Sequence, residues 1–235
     1  MNNHSSKRFW SCRTARSIYI DRGLLTAIAL AVSGIASAQD QRGALTFSQV
    51  PDPATPAAIA PPPENSAFLV GHAVGTQGYV CLPTGSGVSW TVDAARPQAT
   101  LFTYAFGDAF QIITHFLSPD TNPNEFAPNP LPFGSATWQS SFDSSKVWGQ
   151  TLASISAGSD ARCPNAGSIP CLLLQAIGSE SGPAGGRLMT RTTYVQRLNT
   201  NGGSAPVSAC SVATDIGRQT LVPYSADYYF YRAEE

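Results

Sequence analysis

Two histidines, His72 and His115, are the side chains in the central part of the chain best suited to acid–base chemistry or metal binding. A hydrolytic triad would place one of them beside an activated serine and an orienting carboxylate, but the chain has no Gly-x-Ser-x-Gly motif. His115 could instead act with Asp143 from a following segment, although their spacing matches no metal-binding motif. The sequence therefore predicts no metal, and an acid–base or metal-assisted enzyme centred on His115 and Asp143 is one alternative function.

A second group of candidates surrounds the run Asp143-Ser144-Ser145-Lys146, which joins two strand-like segments. Asp and Ser favour tight turns, so the run could be structural, or Asp143 and Lys146 could contact a ligand. Trp138 and Trp148 flank the run. Exposed, they could stack on sugar rings; buried, they would fill the core. We nominate Trp138, Asp143, Lys146 and Trp148 as the binding patch.

Arg197 follows Gln196 in a strand-like run, so one of these two side chains must point inward. An inward arginine requires a polar or charged partner. Asp227, on the last predicted strand, is our nominated carboxylate. The sequence thus predicts a structural ion pair between Arg197 and Asp227.

The N-terminal segment resembles an export signal. Basic residues from Lys7 to Arg22 precede an apolar run from Leu24 to Ile35, which ends in Ala36-Ser37-Ala38. The run is shorter than the roughly 20 apolar residues of a membrane-spanning helix. We therefore predict a signal peptide over residues 1–38 and an exported protein, either periplasmic or extracellular; an organellar transit peptide is the alternative.

The composition of the remaining chain excludes several partners. Removal of the signal peptide takes away five of the 14 basic residues but one of the 15 acidic ones, so an acidic domain remains. Without a basic cluster, binding to nucleic acid or to an anionic membrane is not expected. The glycine-containing run 199–203 is interpreted as a turn rather than a phosphate-binding loop, because no helix start follows it. No cofactor is predicted.

Two further regions follow the signal peptide. Residues 39–65 include six prolines between Pro51 and Pro63, which favours an extended tether, or else an edge segment lying along the domain. Residues 66–235 contain short apolar or alternating runs separated by Gly, Pro, Asn and Ser, which indicates strands. We predict one all-β domain, a sandwich or distorted barrel of about ten short strands, with a hairpin between 169–177 and 188–198.

The order of several motifs resembles that of a known family. They are Thr76–Cys81, His115-Phe116, Ala136–Trp138, Asp143–Val147, Ile169–Leu174, Thr193–Gly203, Cys210 and Val222–Phe230. In this order they resemble the secreted family catalogued as domain of unknown function 3455. The resemblance implies a secreted β-rich domain and no established activity.

Two features depart from that family's pattern. Cys171 stands where the family usually has an aromatic residue, and Cys163 has no usual counterpart. The segment Ser118 to Gly134 is rich in proline and looks like an insertion into a shorter loop; long loops without strands are usually functional or disordered.

The cysteine count is compatible with disulfides. Loss of the signal peptide would remove Cys12 and leave four cysteines, which allow three pairings. The resemblance implies Cys81 with Cys210, the two positions that match the family, and Cys163 with Cys171, the two that do not. In the chain-entropy model these closures contribute about 5 and about 2.6 kcal/mol.

These observations favour a non-catalytic function. We predict a binding module at the cell envelope or outside the cell, with a glycan or another surface polymer as its partner. Alongside the enzyme centred on His115 and Asp143, a structural envelope protein that associates through its sheet edges is the other alternative. Neither the ligand nor the oligomeric state follows from the sequence.

Overall fold

The computed structural model describes residues 50–118 and 135–234, which form mainly β-strands. Short 3-10 helical turns occur at Ala57–Ile59, Met189–Arg191 and Ala213–Asp215. Within these ranges, no helix has the length and apolar character that crossing a membrane would require. The strands are β1 (Asn65–Thr84), β2 (Gly87–Ala105), β3 (Asp108–Ser118), β4 (Ser135–Ser140), β5 (Lys146–Ile155), β6 (Cys171–Glu180), β7 (Tyr194–Gly202) and β8 (Gln219–Ala233).

The strands form one antiparallel sheet that closes on itself. Each strand pairs with the next along the chain, and β8 returns to pair with β1. We call this closed ring the barrel; several register shifts make it irregular. The predicted all-β fold is therefore confirmed, and of its two predicted forms, sandwich or distorted barrel, the structure has the second.

The strands are longer and fewer than the sequence suggested. The predicted runs 68–74 and 77–82 both belong to β1, because a bulge between Gln77 and Tyr79 shifts the register without ending the pairing. The runs 88–92 and 100–104 likewise belong to β2. The predicted hairpin is present as β6 and β7, but β7 begins at Tyr194, after a 3-10 turn. The predicted turn at 199–203 is wrong, because β7 continues to Gly202 through a bulge in which Asn199 has a φ of 52°.

Strand alternation separates an inner and an outer face. Val195 of β7 and Phe230 of β8 pack in a cluster to which every strand contributes, so this cluster lies in the barrel interior. Leu198 and Tyr229 instead pack with Ile59, which precedes β1. This second cluster lies on the outer face of β5 to β8.

The proline-rich segment packs against that outer face. Ile59 is fully buried, and its carbonyl oxygen accepts a hydrogen bond from the Gln196 side chain. The Ala54 carbonyl oxygen accepts one from Arg162 Nε at 3.1 Å, and the Asp52 carboxylate accepts one from Ala67 N at 2.7 Å. From residue 50 onward the segment is thus a second layer on the barrel rather than a tether. The predicted signal peptide, the start of the tether and residues 119–134 of the proline-rich loop lie outside the described residues.

Two disulfides join the pairs that the resemblance implied. Cys81 in β1 bonds to Cys210 in the connection between β7 and β8, with 5.6 Å between their Cα atoms. Cys163, before β6, bonds to Cys171 at the start of β6, with a Cα separation of 6.0 Å. The first links distant parts of the chain, and the second lies within the outer cluster.

We predict that the long-range disulfide stabilises the fold more than the local one. The bridges close loops with sequence separations of 129 and 8, for which loop entropy gives about 5 and about 2.6 kcal/mol. The double variants Cys81→Ala/Cys210→Ala and Cys163→Ala/Cys171→Ala should lose stability in that order when unfolded in urea. An equal or larger loss in the second variant would contradict the ranking.

Candidate functional site

A cavity of about 480 Å³ lies inside the barrel. All eight strands contribute to its wall, which is mainly apolar. Val92, Gln150, Thr151 and Pro170 are exposed lining residues, so they mark the side at which the cavity meets solvent. The lining residues are Gln77, Tyr79, Val92, His115, Leu117, Ala136, Trp138, Gly149, Gln150, Thr151, Ile169, Pro170, Leu172, Leu174, Arg197 and Tyr228.

Arg197 brings a positive charge into this wall. Arg197 lies two residues after Val195 in β7, so its side chain also points to the inner face. It is 8% exposed. Its Nε and Nη2 atoms both donate to the Pro170 carbonyl oxygen, at 3.1 and 2.8 Å. Among the described residues, no carboxylate lies within ion-pair distance of its guanidinium group. The charge is therefore buried with a neutral acceptor.

The predicted ion pair between Arg197 and Asp227 is not formed. Arg197 lies opposite Tyr228, whereas Asp227 lies opposite Leu198. That offset of one residue points the Asp227 side chain to the outer face. There Asp227 accepts hydrogen bonds from Asn199 Nδ2 at 2.7 Å and contacts His72 Nδ1 at 2.6 Å. The structure thus assigns Asp227 to an outer polar cluster.

His115 lines the cavity as a neutral acceptor. Burial lowers its pKa to about 4, so the imidazole is uncharged near neutral pH. Its Nδ1 lies 2.9 Å from the Thr137 carbonyl oxygen, which can only accept, so Nδ1 carries the proton. Nε2 is consequently left with a lone pair. The ring stacks on Trp138, with 4.5 Å between centroids and 5° between planes.

The two nominated tryptophans are both buried, each 1% exposed. The two nominated tryptophans therefore form no exposed platform for sugar rings, and their burial agrees with the alternative in which they fill the core. Trp138 lines the cavity, and its indole lies so close to Gly149 that a Cβ there would sit 2.8 Å from Cζ3. The Nε1–H groups of Trp138 and Trp148 are buried and make no hydrogen bond within the described residues.

Asp143 and Lys146 lie away from the cavity wall. Asp143 Oδ1 accepts from Ser145 N and Oγ, and Oδ2 accepts from Leu188 N at 2.8 Å. Burial alone would raise the pKa of Asp143, but these hydrogen bonds hold it below its usual value. Lys146 Nζ lies 3.5 Å from Glu180 Oε2. The turn interpretation of this run thus agrees with its contacts.

The alternative site centred on His115 and Asp143 is not assembled, because His115 lines the cavity and Asp143 organises a turn. In the described part of the chain, no three His, Cys, Asp or Glu side chains are grouped so that they could hold a metal ion. What the fold does bring together is His115, Trp138 and Arg197. These three had been nominated for unrelated roles.

Sequence reasoning missed that Tyr79 and Tyr228 line the cavity. Tyr79 lines the wall and donates to the Gly203 carbonyl oxygen at 2.7 Å. The Tyr224 and Tyr228 hydroxyl oxygens lie 3.1 Å apart. Burial raises the pKa of Tyr79, and that of Tyr224 strongly, while the nearby Arg197 charge acts in the opposite direction. Tyr79 falls inside the motif Thr76–Cys81, so a signal for it was present.

The fold and cavity define a class: a disulfide-linked, all-β antiparallel barrel with a cationic group in an apolar interior. The chain belongs to the family of proteins of unknown function catalogued as domain of unknown function 3455. The family model matches residues 61–232. No curated protein and no solved structure shows significant similarity to it.

We predict that His115 makes the fold sensitive to acid. Between pH 6.5 and 4 the unfolded chain binds a proton at this position that the folded chain excludes, so the free energy of unfolding falls as pH decreases. The shift corresponds to about 3 kcal/mol across that window. Replacing His115 by Asn retains a donor for the Thr137 carbonyl oxygen and should remove this part of the decrease.

Urea unfolding at pH 7 and pH 4.5 measures the effect. His72→Asn is the matched control, since His72 is on the surface with its side chain 45% exposed, and it should leave the His115 contribution intact. Identical pH dependence in wild type and His115→Asn would contradict the prediction.

Proposed function

We propose that this protein is a non-catalytic binding protein that holds one small, mainly apolar molecule inside the barrel. The observation that carries the proposal is the cavity of about 480 Å³, to which all eight strands contribute. Small-molecule sites commonly have volumes of about 300 to 1,000 Å³ and apolar walls with a few polar groups. An eight-stranded barrel is also about the size at which the interior can hold one small ligand.

The chemistry of the wall supports binding rather than catalysis. His115 is neutral and stacked on Trp138, and no carboxylate among the described residues orients it. Tyr79 and Arg197 already donate to backbone carbonyl oxygens. A nucleophile with an adjacent base, which covalent catalysis requires, is not formed by the lining residues.

The ligand and the location are part of the proposal. Because both tryptophans are buried, a glycan stacked on an outer patch is disfavoured, and an apolar molecule within the barrel takes its place. The signal-like N-terminus and the two disulfides support action in an oxidising compartment, the periplasm or the medium.

We predict that filling the cavity abolishes binding of a neutral apolar probe. N-phenyl-1-naphthylamine should gain fluorescence with the full chain. Ala136 lines the wall, so the phenyl ring of Ala136→Phe would occupy the ligand volume and weaken binding about tenfold or more. The measurement is a fluorescence titration, with near-UV circular dichroism to confirm the native fold.

Ala109→Phe is the matched control, because Ala109 is an exposed residue of β3. It should bind the probe as wild type does. If the wild-type protein does not bind the probe, or if both variants bind equally well, the proposed cavity function is wrong.

A further inference from the structure

The cavity wall contains a buried indole donor without a partner among the described residues, and a guanidinium group with more donors than acceptors there. Two of the guanidinium nitrogens of Arg197 share one acceptor, the Pro170 carbonyl oxygen, while the group as a whole offers five N–H donors. Trp138 Nε1–H, on the same wall, is buried and has no acceptor in the described part of the structure. A buried polar group without a partner is destabilising, so a ligand that brings an acceptor to these donors would be stabilised by them.

The charge on the cavity wall is positive. None of the 16 lining residues is acidic, while the guanidinium group of Arg197 is cationic. The remaining polar side chains of the wall, such as Gln77 and Gln150, are neutral, and His115 is also uncharged near neutral pH. In an apolar surrounding the positive charge is poorly screened. An anion in the cavity would therefore meet an uncompensated cation.

The position of Arg197 fixes how such a ligand would lie. Its acceptor Pro170 is one of the exposed residues that mark the cavity's solvent side. The fully buried Trp138 and Tyr228 also line the wall, and Tyr228 lies directly opposite Arg197 on the neighbouring strand. A molecule with its charged group at Arg197 would keep that group near water and place its apolar part among the aromatic rings, which limits the desolvation penalty.

We infer that the ligand is an amphipathic carboxylate whose head group binds the Arg197 guanidinium and whose apolar body fills the barrel interior. This inference rests on the proposed binding function and adds the chemical class of the ligand. Carboxylate is the acceptor whose two oxygens match the planar fork of an arginine. The cavity volume sets the size of the apolar body to that of a small molecule.

The test compares decanoate with decanamide, which has the same number of heavy atoms but no charge. Each competes with N-phenyl-1-naphthylamine for the full, disulfide-bonded protein at pH 7.5. We expect wild type to bind decanoate about tenfold or more tightly than decanamide. Arg197→Met should lose this preference while retaining the neutral probe, and Arg197→Lys should keep part of it because the charge remains.

Arg187→Met is the matched control, since Arg187 is exposed and is not a lining residue. It should keep the wild-type preference. Retained probe binding in Arg197→Met shows that its barrel is intact. If it fails to bind the probe, the comparison between Arg197→Lys and Arg187→Met decides the result. A carboxylate preference that is reduced or lost in Arg197→Lys alone supports the contact with the Arg197 guanidinium, and an undiminished preference in Arg197→Lys overturns the inference.

The two proposals can fail separately. If wild type binds the neutral probe but does not distinguish decanoate from decanamide, the carboxylate inference is overturned and the binding function stands. If Arg197→Met keeps the preference for decanoate over decanamide, the carboxylate inference is likewise overturned and the binding function stands. If neither the probe nor either competitor binds, both proposals are wrong.

Discussion

Pairing of the first strand with the last is the constraint on which the rest of the molecule depends. β1 and β8 pair from Asn65 with Ala233 to Val80 with Gln219, and this contact converts a sheet with two free edges into a ring. Once the ring is closed, alternate residues of every strand face either an enclosed interior or an outer surface. The cavity, the inner aromatic cluster and the outer layer all follow from that division.

Within the ring, one charged side chain lies among mainly apolar residues. Most of the inner face is apolar and well packed, yet Arg197 holds a charge there with one carbonyl oxygen as its acceptor. Removing an ion from water is costly unless other groups compensate. Natural folds keep such arrangements mainly where function requires them, because an apolar side chain of similar size would be more stable.

Much of the fold could be predicted from the sequence, whereas the site could not. Strand content follows from local alternation, and the disulfide pairs followed from motif resemblance. Alternation indicated that either Gln196 or Arg197 faces inward, but the partner of Arg197 depended on the register of β7 against β8, where one residue decides the face of Asp227. The burial of Trp148 and the meeting of His115 with Arg197 depend on long-range closure, which no short window of sequence contains.

The proline-rich layer makes the two halves of the barrel wall differ in how their outer faces are covered. Residues 52–59 and the outer cluster cover β5 to β8, so the part of the wall that bears Arg197 is backed by a second set of packed side chains. Val74 and Tyr104, on β1 and β2, are more than half exposed. The strand that carries the charge is therefore covered on both of its faces, whereas parts of β1 and β2 meet solvent on their outer face.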